Sequence, residues 1–271
     1  MPSSEASHRF DTAEPPSLRV RVPAGYVTVE CADVAETTVE LEPLRGDDAT
    51  REAIERATVE QRGGEIVVEI GKAGWGFLGR SPQVGVAVRC PHGTSFDCNT
   101  ASADLTVTGR LGDVEVKTAS GDVILGHVGG TLAVNSASGD LRVDRLDGDG
   151  RVNTVSGDTR IGAAHGELVA NTVSGDLELG DLHRNVVAQT VSGDQRLRTV
   201  RAGEIKLQSV SGDVAVGVLA GTRLFIDANS MSGDVRSDLD VGDQPVGEDG
   251  AEANLRVKTV SGDIAVTRSA A

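Results

Sequence analysis

One tripeptide carries most of the reactive side chains of this chain. Ser-Gly-Asp begins at Ser120, Ser138, Ser156, Ser174, Ser192, Ser211, Ser232 and Ser261, and a degenerate copy with Ala103 in place of glycine begins at Ser102. Stacked carboxylates suit Ca²⁺, a hard cation that takes oxygen ligands, and Asp122, Asp140, Asp158, Asp176 and Asp194 are the candidate ligands. Acyl transfer would need a serine presented on a G-x-S-x-G turn, and the chain has none. It also lacks the H-E-x-x-H of zinc hydrolases and a Walker loop for phosphates. An enzyme site would break the repeat locally, and residues 111–200 show no break. We therefore expect no catalytic residue, no cofactor and no enzyme activity. The favoured reading is a structural corner. Its glycines, Gly121, Gly139, Gly157, Gly175, Gly193, Gly212, Gly233 and Gly262, supply unusual backbone angles. Its aspartates accept backbone N–H groups, and its serines bond along the stack. Neighbouring Arg142, Arg160, Arg196 and Arg198 supply countercharge.

Three lesser candidates stand beside it. Gly74-Trp75-Gly76-Phe77-Leu78-Gly79 matches G-x-G-x-x-G, but Arg80-Ser81-Pro82 follows where a dinucleotide site needs a helix. The segment reads as a loop, and Trp75, Phe77 and Leu78 are its possible partner contact. His165 and His183 hold equivalent places one repeat apart and read as surface corner residues. Cys31, Cys90 and Cys98 are an odd set without metal-type spacing, which reads as reduced thiols.

These residues are positioned by a repeat whose steps are 18, 18, 18, 18, 18, 19, 21 and 29 residues. Three before each serine stands an Asn, Gln or Lys, as in Asn135, Asn153, Asn171 and Gln189; such amides form ladders that fix register. Apolar residues recur six and four before the serine (Leu132 and Val134) and three and five after it (Leu141 and Val143). Thr159 and Gln195 interrupt the column three after. Alternation on both sides marks two short strands per unit, and the change of parity between them requires a bulge or corner at the glycine. Two such strands cannot bury a face alone, but identical units stacked ~4.8 Å apart can. The expected fold is all-β: a right-handed parallel β-solenoid of about nine 18-residue coils, roughly 43 Å long, with an irregular β-rich N-terminal cap. A meander of antiparallel hairpins is the alternative.

Composition agrees. Glycine is 34 of 271 residues and aromatics are 2%, so the core must be thin and aliphatic. Residues 1–16 read as a disordered lead and 17–98 as the cap. The cap's strands are expected near 18–22, 27–31, 37–41, 65–70 and 84–90, with one short helix over 48–58 capped by Asp47 or Asp48. Residues 99–268 form the repeat, with an acidic loop at 238–252 and one last coil closing the C-terminus; 269–271 are a tail. The net charge of −15 disfavours nucleic acid and anionic membrane surfaces. No run of 18 apolar residues exists to span a bilayer, and the absence of an apolar leader predicts a cytoplasmic location.

The serial T-V-S-G-D units, the β-rich N-terminal segment and the closing K-T-V-S-G-D-I-A-V-T-R resemble the bacterial putative-adhesin family of β-strand-repeat proteins, a domain of unknown function. The resemblance covers roughly residues 10–268. It implies a β-solenoid without known cofactor or catalytic residues, and some members are associated with envelope-stress systems. The expected function is a non-enzymatic scaffold or interaction module holding an unknown protein partner. A calcium-dependent or carbohydrate-binding surface protein is the alternative.

Overall fold

The structure, a computed structural model, describes residues 6–71, 81–239 and 251–269. The chain forms two compact units, residues 1–139 and 140–271. Both are built from parallel coils, and no helix among the described residues is long and apolar enough to cross a membrane.

In the first unit the elements are β1 (Ala6–Asp11), β2 (Ser17–Ala32), β3 (Glu36–Pro43), α1 (Asp48–Glu55), β4 (Thr58–Arg62), β5 (Glu65–Glu69), β6 (Val84–Pro91), β7 (Ser95–Leu111), β8 (Val114–Ser120), β9 (Val123–Val128) and β10 (Leu132–Ser138). β2 joins two of the expected strands into one hidden coil. It lies parallel to β7 with Ala24, Gly25 and Tyr26 opposite Ser102, Ala103 and Asp104. Gly25 therefore stands in the corner position, at φ +123°, and the buried residues change parity there, from Val20 and Val22 to Val27 and Val29. The coil built from β5 and β6 pairs with the other edge of β2, so the coil earliest in the chain is internal to the stack. Antiparallel strands complete the cap: β4 on β5, and β1 and β6 on either side of β3. The helix is capped by Asp47, whose carboxylate accepts the Thr50 N–H at 2.8 Å, and it buries Thr50, Ala53 and Ile54.

Three expectations are corrected here. Residues 6–11, taken with the disordered lead, form β1, because β3 offers them an open edge in register from Ala6 opposite Leu41 to Asp11 opposite Glu36. The helix ends at Glu55, and Thr58 already belongs to β4. The boundary drawn at 98/99 falls inside β7, which runs through it unbroken.

The second unit contains β11 (Leu141–Leu146), β12 (Gly150–Ser156), β13 (Thr159–Ala164), β14 (Leu168–Ser174), β15 (Leu177–Leu182), β16 (Val186–Ser192), β17 (Gln195–Val200), β18 (Gly203–Ser211), β19 (Val214–Leu219), β20 (Arg223–Ser232), β21 (Val235–Ser237), β22 (Glu252–Ser261) and β23 (Ile264–Ser269). Strands one 18-residue repeat apart pair in parallel, with Asn153 opposite Asn171 and Ser156 opposite Ser174. The stack does not follow chain order at its end. β22 pairs with β18 on one edge and β20 on the other, and β23 lies likewise between β19 and β21. The C-terminal coil, expected to close the stack, is inserted, and the coil of Ser232 is displaced to the end. Ser269, expected in the tail, is the last residue of β23.

The core is a set of columns. In the coil of Ser156, Val152, Thr154, Thr159, Ile161 and Ala164 point inward and are buried. Leu146, Ala164, Leu182 and Val200 make a column eight residues after the serine that the alternation did not predict, because a second change of parity precedes it. Thr159 and Gln195 stay in the column they interrupt, both fully buried. Gln195 Nε2 donates to Thr190 Oγ1 and to Gln208 O, each at 2.8 Å, whereas Thr159 Oγ1 has no hydrogen-bond partner.

Candidate functional site

The corner aspartates are spent on the backbone. In the second unit Asp140 Oδ1 accepts the Asp158 N–H at 2.9 Å, Asp158 accepts from Asp176 at 3.0 Å, Asp176 from Asp194 at 2.9 Å and Asp194 from Asp213 at 2.9 Å. In the first unit Asp104 accepts the Asp122 N–H at 3.1 Å. The hydrogen bonds offset the repulsion expected of stacked carboxylates. Among the described residues no three His, Cys, Asp or Glu side chains converge as a metal-ligand set. The corner serines are exposed, and the interior hydroxyl bonds are made two residues earlier, as in Thr154 Oγ1 to Thr172 Oγ1 at 3.0 Å. The corner glycines are obligatory. Gly175 has φ +127°, and a Cβ there would overlap Gly157 O.

A second ladder, absent from the sequence reading, lines the other corner. Asp149 Oδ1 accepts the Glu167 N–H and Asn185 Oδ1 the Glu204 N–H, both at 2.9 Å. The predicted amide ladder is present where Asn171 Nδ2 donates to Asn153 Oδ1 at 2.9 Å.

His165 and His183 do meet, with ring centroids 4.4 Å apart and planes at 74°. Each has a carboxylate beside it: Asp147 Oδ1 lies 3.1 Å from His165 Nδ1, and Asp181 Oδ2 lies 3.2 Å from His183 Nε2. Arg201 Nε also donates to Asp181 at 2.6 Å, and these partners, Arg201 first, hold the Asp181 carboxyl below its ordinary range. The three cysteines are buried thiols. Cys31 and Cys90 face each other across β2 and β6 with sulfurs 3.8 Å apart, and burial pushes the Cys98 thiol up to about 12, so it is no thiolate nucleophile at neutral pH. Trp75, Phe77 and Leu78 lie outside the described residues.

Two surfaces of the second unit remain as places for a ligand. One is a shallow groove of about 140 Å³. Its floor is Gly162 and Gly180, adjacent in one outward column, and its walls include Arg142, Asp144, Arg160, Glu178 and Arg198. The glycines are forced by the stacking, since a Cβ on Gly180 would overlap Gly162 O. The guanidinium groups are already paired: Arg142 with Asp144 at 3.0 Å, Arg160 with Asp158 at 2.9 Å and Glu178 at 3.5 Å, and Arg198 with Glu178.

The other surface is the outer face of β12, β14, β16, β18 and β22. Each strand sets one Asn, Gln or Lys beside one valine. Val155, Val173, Val191, Val210 and Val260, immediately before the corner serine, are each between 45% and 51% exposed. The sequence reading passed over this column, although the valine is printed in every T-V-S-G-D.

A stack of parallel coils with a ladder-bonded corner and no assembled catalytic or metal constellation among its described residues defines a repeat β-protein of the solenoid type. The chain belongs to the family described as Toastrack DUF4097, whose profile matches residues 20–267. It is similar to three solved structures. These are a putative lipid binding protein from Parabacteroides distasonis (13% identity, 97% of this chain and 96% of that one, TM-score 0.48), a putative adhesin from Bacteroides fragilis (12%, 98% and 98%, TM-score 0.44) and a putative adhesin from Parabacteroides distasonis (14%, 96% and 96%, TM-score 0.48). A comparison with curated proteins gave no significant match.

Proposed function

We propose that this chain is a non-catalytic interaction module whose second unit presents the outer face of β12, β14, β16, β18 and β22 to an extended partner running across the coils. The observation that carries this reading is the row of half-exposed valines. A single exposed valine is ordinary, but one per coil, in register and beside an amide column, makes an apolar strip with hydrogen-bonding groups along one side. A partner that crosses the strands meets the same pair of groups at each coil, which suits an extended protein segment. The reading rests also on the aspartates, whose repetition serves main-chain hydrogen bonds rather than chemistry.

The test is a comparison of two faces of one protein. A photo-reactive side chain replaces Val173 or Val191, or, on the groove side, Arg142 or Arg196, and crosslinks are formed in the native cell. The proposal expects a discrete crosslinked species from positions 173 and 191 that positions 142 and 196 do not give. It also expects Val173→Asp to abolish the crosslink at 191 without changing the melting temperature. Equal crosslinking from both faces, or crosslinks from the groove side alone, would contradict it.

The carbohydrate-binding alternative has one foothold, the polar groove over Gly162 and Gly180. Its walls offer hydrogen-bonding groups but no aromatic ring among the lining residues to stack on a sugar. Crosslinks from position 142 alone would favour it.

A further inference from the structure

The displaced coil leaves the second unit with an unusual end. β20 pairs with β22 on one edge, and among the described residues no strand pairs with the other. The Arg223 N–H donates to Ala251 O at 2.9 Å, so strand alternation turns the backbone groups of Ile226, Ala228 and Ser230 toward the open side. These ten residues hold no proline and no lysine, two of the residues that most effectively blunt a free edge.

The side chains of this edge are also unlike their equivalents. Seven residues before the corner serine the inner coils of the unit carry Asp149, Glu167, Asn185, Glu204 and Asn254, whereas the end coil carries Phe225. Phe225 is 56% exposed and Met231 81%, with Ile226 and Val235 beside them. In a chain of net charge −15, residues 223–237 are neutral, with Arg223 and Arg236 against Asp227 and Asp234.

We propose that the open edge of β20 pairs antiparallel with β20 of a second copy of this chain, about a two-fold axis at Ala228. The strand is self-complementary about that residue. Ala228 then exchanges main-chain hydrogen bonds with Ala228 of the second copy, and Ile226 does so with Ser230, using the backbone groups that point outward. On the outer face Phe225 stands opposite Met231 of the second copy, and Asp227 stands opposite Asn229, each pair occurring twice. Two exposed apolar residues are covered, and a carboxylate meets an amide rather than another carboxylate. A closed two-fold contact of this kind uses the β20 edge of both copies, so β20 itself does not propagate.

The experiment has two arms. Sedimentation of the full chain across concentration expects a monomer–dimer equilibrium. Phe225→Asp with Met231→Asp sets like charges opposite each other twice and should weaken it by at least about 10-fold while the melting temperature holds, because both side chains are mostly exposed. The register is tested with Asp227→Cys and Asn229→Cys as two separate proteins. Mixed and mildly oxidised, they should yield a disulfide-linked dimer much faster than either alone, since 227 faces 229 across a non-hydrogen-bonded pair. A chain monomeric at every concentration would overturn the proposal, whether its own residues or another protein cover the edge. So would a dimer indifferent to the double substitution, or crosslinking as fast in the single solutions as in the mixture.

Discussion

Asp263 donates its backbone N–H to Asp213 Oδ1 at 2.8 Å across fifty residues of sequence, and Asp234 donates in turn to Asp263 Oδ1 at 2.9 Å. The corner ladder thus runs through the C-terminal coil before it reaches the coil that precedes it in the chain. This order predicts the effect of truncation. A chain ending at residue 239 loses the inserted coil and its buried Leu255, Val257, Ile264 and Val266, each worth ~1.5–3 kcal/mol on burial. Residues 223–237 remain in that chain but lose the strands they pair with, so their amides should exchange with solvent within the dead time of a hydrogen-exchange experiment. Retained protection there would contradict the inserted order.

Corner glycines should be far less replaceable than other glycines. Gly175→Ala places a Cβ in overlap with Gly157 O at a φ of +127°, and a loss of at least ~2 kcal/mol is expected in denaturant titration. Gly64, with nothing within 4 Å of the added atom, should accept alanine within ~0.5 kcal/mol. Equal costs at the two sites would remove the corner from the account.

The buried hydroxyl of Thr159 predicts a stabilising substitution. It sits in the apolar column beside Leu141 and Leu177, fully buried and without a partner for Oγ1. Thr159→Val keeps the shape and removes the unsatisfied group, so stability should rise by ~1 kcal/mol. A decrease would mean that the hydroxyl is bonded in solution.

How much of this was legible in the sequence depended on what is local. The corner could be read because Ser, Gly and Asp recur beside two alternating runs, and the parity change between Val134 and Leu141 could be read with it. The helix cap at Asp47 was equally local. The order of the last coils was not, because Glu252–Ser269 carries the same motif whichever neighbours it joins. β1 was missed because its short polar sequence has no alternation of its own and forms by adding to the edge of β3. The hidden coil in β2 was missed because Ala24-Gly25-Tyr26 keeps only the glycine of the corner. The valine column and the Gly162–Gly180 floor were in plain sight but belong to the outer surface, where periodicity does not distinguish solvated positions from contact positions.

The Arg201–Asp181–His183 cluster predicts a small pH dependence. Asp181 is held below its ordinary range in the folded chain. A depressed carboxylate contributes stability above its unfolded value of about 4, and that contribution is lost as pH falls through the lower folded value. Asp181→Asn should therefore melt below the parent protein at neutral pH and coincide with it in strong acid. A gap of the same size at both extremes would rule out the charged contact as its source.

The central claim is that one 18-residue repeat is one coil, and paired deletions test it most directly. Removing residues 157–174 joins Ser156 to Gly175 and leaves every inward column and every corner intact, so a folded chain with cooperative melting is expected. Removing only 157–165 deletes β13 and throws the columns after it out of place, against a typical total stability of only ~5–15 kcal/mol. Circular dichroism and thermal melting of the two should show native-like β structure for the first and loss of cooperative melting for the second. If the nine-residue deletion folds and the 18-residue deletion does not, the repeat is not the coil.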